Sequence, residues 1–288
     1  MYEITPQHDF LVGIDSDGCA FDTMELKHKE CFIHNTVNFY NLQAISKFAR
    51  EAAEFVNLYS KSRGINRFPA LIETLEWLQK RTDVAARGVT VEIPTSLVRW
   101  VQEETKLGNP TLQAKIEETG DEDLQQALAW SERVNETVAA IVRGVPPFPF
   151  VRESLEKLQG RADMLVCSAT PNEALKAEWT EHHLDQYVEA ICGQESGSKK
   201  ETLANASKYP QDHVLMIGDA PGDYRAAEAN NCLFFPINPG AEEASWKNFY
   251  EEGINRFLQS NFAGGYQEQL LKEFDEYLPE NPPWSVST

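Results

Sequence analysis

The fold class this sequence predicts is α/β, a doubly wound parallel sheet with an inserted all-helical domain, and three observations predict it. Short, unbroken apolar runs recur at wide spacing, helical patterns lie between the later runs, and a long helical interval separates the first run from the rest.

The first run, FLVGI at 10–14, has no polar alternation, as expected of a strand buried on both faces of a parallel sheet. The interval after it is too long for one crossover and reads as helix. Apolar residues at three- and four-residue spacing (Phe32, Val37, Phe39, Tyr40, Ile45, Phe48, Phe55, Val56) run from Glu25 to about Ser60, followed by Pro69–Lys80, Pro94–Thr105 and Asp121–Val142. Pro69 and Pro94 suit first-turn positions, and the stripes that include Phe32, Phe39 and Trp100 read as packing surface. VPPFPF at 145–150 cannot continue a helix and marks the return to the sheet. Next come the strand MLVC at 164–167, a helix over Asn172–His182, a weaker strand AICG at 190–193, and a helix over Lys199–Ser207. VLMIG at 214–218, a helix over Tyr224–Asn230 and LFFPI at 233–237 complete the alternation. Two amphipathic segments, Ala241–Gln259 and Tyr266–Tyr277, follow Pro239. The predicted division is therefore 1–23 with 147–240 as α/β core, 24–146 as helical domain, and 241–288 as a helical extension of the core.

Composition narrows the function classes. The hydrophobic fraction is 42%, enough for an ordinary globular core. Lys and Arg total 26 against 45 Asp and Glu, a net charge of −19, which disfavours nucleic acid and anionic membranes as partners. An anionic substrate must then be held by local cations. The start, MYEITPQHDF, has no basic stretch leading into an apolar core, and no segment has membrane-span length, so the chain reads as cytoplasmic. The cysteines (Cys19, Cys31, Cys167, Cys192, Cys232) are odd in number and scattered, which suits reduced structural thiols and not a zinc site. Oligomeric state is left open by the sequence.

Ligands of an open parallel sheet bind beyond the carboxyl ends of its strands, so the residues just after each strand carry the chemistry. They are Asp15-Ser16-Asp17-Gly18, Ser168-Ala169-Thr170 and Gly218-Asp219-Ala220-Pro221-Gly222-Asp223. Four carboxylates at one sheet edge repel unless a cation neutralises them, and hard oxygen ligands without His or Cys point to Mg2+. Each group also has a structural reading: a turn or cap for Asp15 and Asp17, an N-cap by Ser168 or Thr170 for the helix from Asn172, and turn chemistry for Asp219 and Asp223.

LVGIDSDGCAFDT, LVCSAT, SKKETL and MIGDAPGD resemble, in order and spacing, the four motifs of the haloacid-dehalogenase-like superfamily, and PPFPFVRESLEKL is similar to the segment by which its chains return from cap to core. The resemblance covers roughly residues 9–22 and 145–240; the insertion at 24–146 matches a family cap in position and helical character. One motif alone is a weak signal, and four in order at strand ends are a strong one. The resemblance implies a phosphatase in which Asp15 attacks phosphorus and Asp17 is general acid and base. Ser168, Ala169 and Lys199 would contact the phosphoryl group of a small phosphorylated metabolite. Mg2+ would be held by the Asp15 carboxylate, the Asp17 carbonyl and Asp219, supported by Asp223. An apolar residue four positions on, Leu203, selects Lys199, with Lys200 as the alternative.

The acid at position 17 argues for a phosphate ester, because family dehalogenases and phosphonate-cleaving members lack it. Phosphomutases with a similar cap carry His twelve positions after the nucleophile, where this chain has Lys27 beside His28. Receiver domains of response regulators share the aspartyl-phosphate chemistry but have neither the second acid nor the insertion. Within the insertion, Lys61-Ser62-Arg63-Gly64-Ile65-Asn66-Arg67 is a basic cluster whose Arg63 and Arg67 are candidate substrate contacts, or else cations complementing a helix end.

Overall fold

The computed structural model describes residues 2–285. Five strands, β1 (Leu11–Ile14), β2 (Asp163–Cys167), β3 (Ala190–Cys192), β4 (Val214–Gly218) and β5 (Leu233–Pro236), form one parallel sheet in the order β3-β2-β1-β4-β5. Alternation along the strands sends residues to two cores. Val12, Ile14, Met164, Val166, Leu215 and Ile217 pack with Val151, Leu155, Trp179 and Trp246 on one face. Leu11, Leu165, Cys167, Met216 and Phe234 pack with Leu203, Ala227 and Phe274 on the other. Covered on both faces, the strands need no polar residues, which is why they read as unbroken apolar runs. Gly13 is held to glycine by this closeness: a Cβ there would lie 2.9 Å from Leu203 Cδ2 and 3.2 Å from the Met216 sulfur.

β1 is the central strand, flanked by β2 and β4, so the chain's connections diverge on either side of it. Ligands of open parallel sheets sit at such a switch point, at the carboxyl ends of the strands, where Asp15, Ser168 and Asp219 follow. At the opposite end, Asp163 fastens the N-terminal segment. Its buried carboxylate accepts from Gln7 N (3.0 Å), His8 N (3.2 Å), His8 Nδ1 (2.8 Å) and Tyr209 Oη (2.7 Å). Burial opposes ionisation there, but donation by Tyr209 and the His8 and Gln7 groups outweighs it and holds the carboxyl below its ordinary value.

The chain divides into two compact units, one running up to Met24 and from Arg143 to Leu278, the other comprising Glu25–Val142 and the segment from Pro279. The second is helical, with Ile33–Phe39, Ser46–Leu58, Arg67–Gln79, Thr95–Glu103, Asn109–Thr119 and Glu122–Ile141 around Phe68, Leu75, Leu97, Trp100 and Trp130. Two details differ from the sequence expectation. The predicted run from Glu25 to Ser60 is broken near Asn41, whose φ of 54° cannot continue a helix. The helix Asn109–Thr119 was not expected, since Leu112 is its one buried residue and leaves no apolar stripe to read.

The C-terminal extension stays with the sheet as far as Leu278, through Glu242–Asn248, a π-helical turn at Phe249–Gly253, Ile254–Leu258 and Gly265–Tyr277. From Pro279 the chain belongs to the helical unit instead. The Pro279 carbonyl accepts from Lys61 N, and Trp284 packs edge-on to Phe55 with the Arg81 guanidinium 4.4 Å from its ring centroid. Residue 1 of the predicted core and residues 286–288 of the predicted extension lie outside the described residues. Among the described residues no helix is long and apolar enough to cross a membrane.

Candidate active site

The turn after β1 is built on Ser16, whose carbonyl accepts from Cys19 N (3.2 Å), Ala20 N (2.9 Å) and Phe21 N (3.1 Å). Gly18 adopts a φ of 76° within it, a conformation that costs glycine little. The Ser16 hydroxyl donates to Glu178 (3.0 Å) and accepts from the Trp179 indole (2.9 Å), tying the turn to helix Asn172–Glu181. Asp15 and Asp17 flank this anchored residue. Asp15 is buried, and Asp17 is half-buried with Thr23 Oγ1 2.5 Å from one carboxylate oxygen and Thr170 Oγ1 2.6 Å from the other.

β4 delivers the second pair of acids. Asp223 lies in the first turn of helix Pro221–Glu228 and reaches back so that Oδ2 accepts from Asp219 N (3.2 Å) and Ala220 N (3.1 Å). This return is possible because residue 218 is glycine: a Cβ there would fall 2.4 Å from Asp223 Cβ and 2.5 Å from its Oδ2. Lys199 completes the set, with Nζ 2.8 Å from Asp15 Oδ2 and 2.5 Å from Asp223 Oδ1. Lys200, the alternative, is exposed, and its carbonyl accepts from Asn230. Burial alone would lower the Lys199 ammonium, but Asp15 and Asp223 more than offset it and hold the group charged above its usual range.

For Asp15 the balance runs the other way. Burial pushes its carboxyl well above the carboxylate range, Lys199 pulls it down, and Asp223 and Asp219 push it up again. A buried carboxylate in that position favours a divalent cation. Oxygens of Asp15, Asp219 and Asp223, all buried, lie within 4.8 Å of one another, and this all-oxygen donor set fits Mg2+ in character. Asp223 already spends both oxygens on Lys199 and the backbone, which leaves the Asp15 and Asp219 carboxylates as the groups that could hold a cation.

Ser168 is buried at the end of β2, and its Oγ accepts from Thr170 N at 3.2 Å, which leaves the hydroxyl proton to be donated elsewhere. Ala169 is exposed at the tip of that turn. Neither Ser168 nor Thr170 caps the following helix, whose N-cap is Pro171 and whose Asn172 N donates to Glu195. Thr23 and Thr170 are the site residues that sequence reasoning missed. Thr170 closes the LVCSAT segment, where it also suits a cap, and Thr23 closes LVGIDSDGCAFDT; neither place in the sequence shows that the hydroxyl meets Asp17.

Arg63 and Arg67 lie in the helical unit and are engaged inside it. Arg63 is buried and donates from Nη1 to the Leu58 carbonyl at 2.8 Å. Arg67 donates from Nη1 to Ser131 Oγ (2.9 Å) and Asn135 Oδ1 (2.7 Å), its guanidinium 5.1 Å from the Phe32 ring centroid; burial lowers its pKa to about 10. These contacts give both residues a structural use within that unit, in place of the solvated helix end.

A family model described as haloacid dehalogenase-like hydrolase matches residues 94–237, half of the chain, a span that includes Ser168, Lys199, Asp219 and Asp223 but not β1. Among solved structures, a protein from Lactobacillus delbrueckii subsp. bulgaricus assigned as a phosphoglycolate phosphatase is 16% identical, with 93% of this chain and 99% of that chain covered at a TM-score of 0.46. A haloacid dehalogenase-like hydrolase from Streptococcus pneumoniae is 11% identical, with 84% and 91% covered at 0.45. A protein from Bacteroides vulgatus assigned as a beta-phosphoglucomutase is 13% identical, with 89% and 91% covered at 0.45. Likenesses of this depth carry no residue role or substrate over to this chain. No curated protein sequence matches the chain significantly.

Proposed function

The chain belongs to the haloacid dehalogenase-like hydrolases, and we propose that it is a Mg2+-dependent phosphohydrolase that cleaves a small phosphorylated metabolite through an aspartyl-phosphate on Asp15. The observation that carries this reading is Lys199 bridging Asp15 and Asp223 beside buried Asp219 at the carboxyl ends of β1 and β4. A nucleophilic carboxylate, a fixed cation and a hard-oxygen metal set at one point are what phosphoryl transfer needs: an aligned attacker and positive charge around the equatorial oxygens. Asp15, Asp219 and the Asp17 carbonyl would hold Mg2+, which supplies charge neutralisation for the transferring group.

In the first step an Asp15 carboxylate oxygen bonds to phosphorus as the bond to the ester oxygen breaks. Asp17 gives its proton to that oxygen, and the alcohol leaves. In the second step water attacks the acyl phosphate and passes a proton to the Asp17 carboxylate. Inorganic phosphate departs, and both aspartates return to their starting states. Ser168 donates its hydroxyl proton to a phosphoryl oxygen, and Lys199 balances the charge shared between nucleophile and phosphate. The helical unit stands in the sequence where a cap that excludes water and selects substrate belongs. The experiment is release of inorganic phosphate from an array of phosphorylated metabolites with Mg2+. Turnover of at least one ester that stops in excess chelator is expected, and full activity without divalent metal would contradict the proposal.

A further inference from the structure

We propose that Thr170, together with Thr23, is a positioning residue for Asp17, a two-point clamp that fixes the plane of its carboxylate; the inference rests on the phosphohydrolase reading above. The two hydroxyls approach different oxygens of one carboxylate, Thr23 at 2.5 Å on Oδ1 and Thr170 at 2.6 Å on Oδ2. One hydrogen bond leaves a carboxylate free to turn about its terminal torsion, a broad and weakly restrained rotation. Two, on different oxygens, remove that freedom.

The clamp arms are themselves held. Thr23 begins the helical turn Thr23–Leu26 and is fully buried. Thr170 is fixed through its backbone: its carbonyl accepts from Gln194 N at 3.0 Å, and its amide donates to Ser168 Oγ at 3.2 Å. Residue 193 must be glycine for this, because a Cβ there would lie 2.4 Å from the Thr170 carbonyl oxygen. Asn172 Oδ1 accepts from Gly193 N at 2.6 Å and closes the loop against Thr170. The turn after β2 thus has a second use besides presenting Ser168: it carries the donor that aims the proposed acid and base. A hydroxyl suits the task because it donates to a carboxylate and accepts from a carboxylic acid, so the contact survives while Asp17 gives up and regains its proton. A methyl group in its place could do neither.

Held within a fraction of an ångström, Asp17 protonates the leaving oxygen as the bond breaks; released, it spends most of its time misaligned. The loss then falls on steps that need a proton. Alkyl phosphates depend on the acid because an alkoxide is a poor leaving group, whereas nitrophenolate leaves without help. The test compares Thr170→Val, which keeps the shape and removes the hydroxyl, with Thr170→Ser, which keeps the hydroxyl, on the full chain with Mg2+. First-turnover release of nitrophenolate from nitrophenyl phosphate is measured beside turnover of the best alkyl phosphate. Thr170→Val is expected to lower alkyl phosphate turnover by about tenfold or more, within the range of general acid catalysis, while first-turnover nitrophenolate release stays within about threefold of wild type. Thr170→Ser should return alkyl turnover to within about threefold of wild type, and Thr23→Val should repeat the Thr170→Val pattern. Equal losses on both esters, or Thr170→Ser as impaired as Thr170→Val, would overturn the clamp while leaving the phosphohydrolase reading intact. Absence of turnover in the wild-type protein would remove both.

Discussion

Two glycines in the same motif are expected to respond differently to alanine, one with a large loss of stability and the other with none. At Gly218 an added Cβ would lie 2.4 Å from Asp223 Cβ, 2.5 Å from Oδ2 and 2.6 Å from Cγ, against an ordinary carbon contact of about 3.5–4.0 Å. Asp223 would have to retreat by about 1 Å, and its bonds from Asp219 N and Ala220 N, already 3.2 and 3.1 Å long, would then pass the limit of a hydrogen bond. Overpacking of this kind costs about 1–3 kcal/mol, and bonds to a charged acceptor are worth about 1.5–3 kcal/mol each. Gly218→Ala is therefore expected to destabilise the sheet unit by at least about 4 kcal/mol and to weaken metal binding, because Asp219 loses its tether. At Gly222 the nearest atom to an added Cβ is Arg225 Nη2 at 3.9 Å, an ordinary contact on a helical residue. Gly222→Ala should be neutral or stabilising by up to about 1 kcal/mol. Urea denaturation of both variants, with Mg2+ titration of the folded proteins, reads the two effects. A Gly218→Ala midpoint close to that of Gly222→Ala, with unchanged Mg2+ affinity, would refute the packing argument.

The Lys199 assignment predicts that Lys199→Met abolishes phosphate release in a protein that still folds, whereas Lys200→Met, at an exposed position, keeps wild-type turnover; the reverse pattern in a turnover assay would reassign the lysine. Asp163→Asn leaves donors from His8, Gln7 and Tyr209 poorly matched and should cost about 2–4 kcal/mol at neutral pH. Because the folded carboxyl lies below its ordinary value of 3.8, this contribution is full above that value and is lost as pH falls from it through the folded pKa. Denaturation midpoints of wild type and Asp163→Asn should therefore be well separated at pH 7 and converge below about pH 4; a constant gap would contradict the assignment.

How much of this was legible in the sequence depends on whether a feature was local. Buried parallel strands announce themselves as apolar runs, so FLVGI, MLVC, VLMIG and LFFPI fell on β1, β2, β4 and β5 to within a residue or so, and the weaker AICG fell on β3. The acids after β1 and β4 were found by the same logic, since strand ends of an open sheet are where ligands sit. Features that join distant positions left no local trace. Thr170 reaches Asp17 across 153 residues, and Asp163 holds His8 across 155. The basic stretch from Lys61 to Arg67 read as a surface cluster, yet Arg63 is buried against its own backbone and Arg67 against Ser131 and Asn135, because guanidinium groups can be satisfied by carbonyls and amides that composition does not reveal. The tail from Pro279 was assigned to the core by adjacency, and Trp284 sends it to the helical unit by packing on Phe55 and Arg81.

The central claim is a phosphoryl group carried by Asp15, and the most direct measurement traps it. In the Asp17→Asn variant the first step with nitrophenyl phosphate needs no acid, while the second lacks its base, so the intermediate should accumulate. Rapid quench should give a burst of nitrophenolate comparable to the enzyme concentration, and peptide mass mapping of the quenched protein should find one phosphoryl group on Asp15. No burst, or a phosphoryl group on any other residue, would contradict the account.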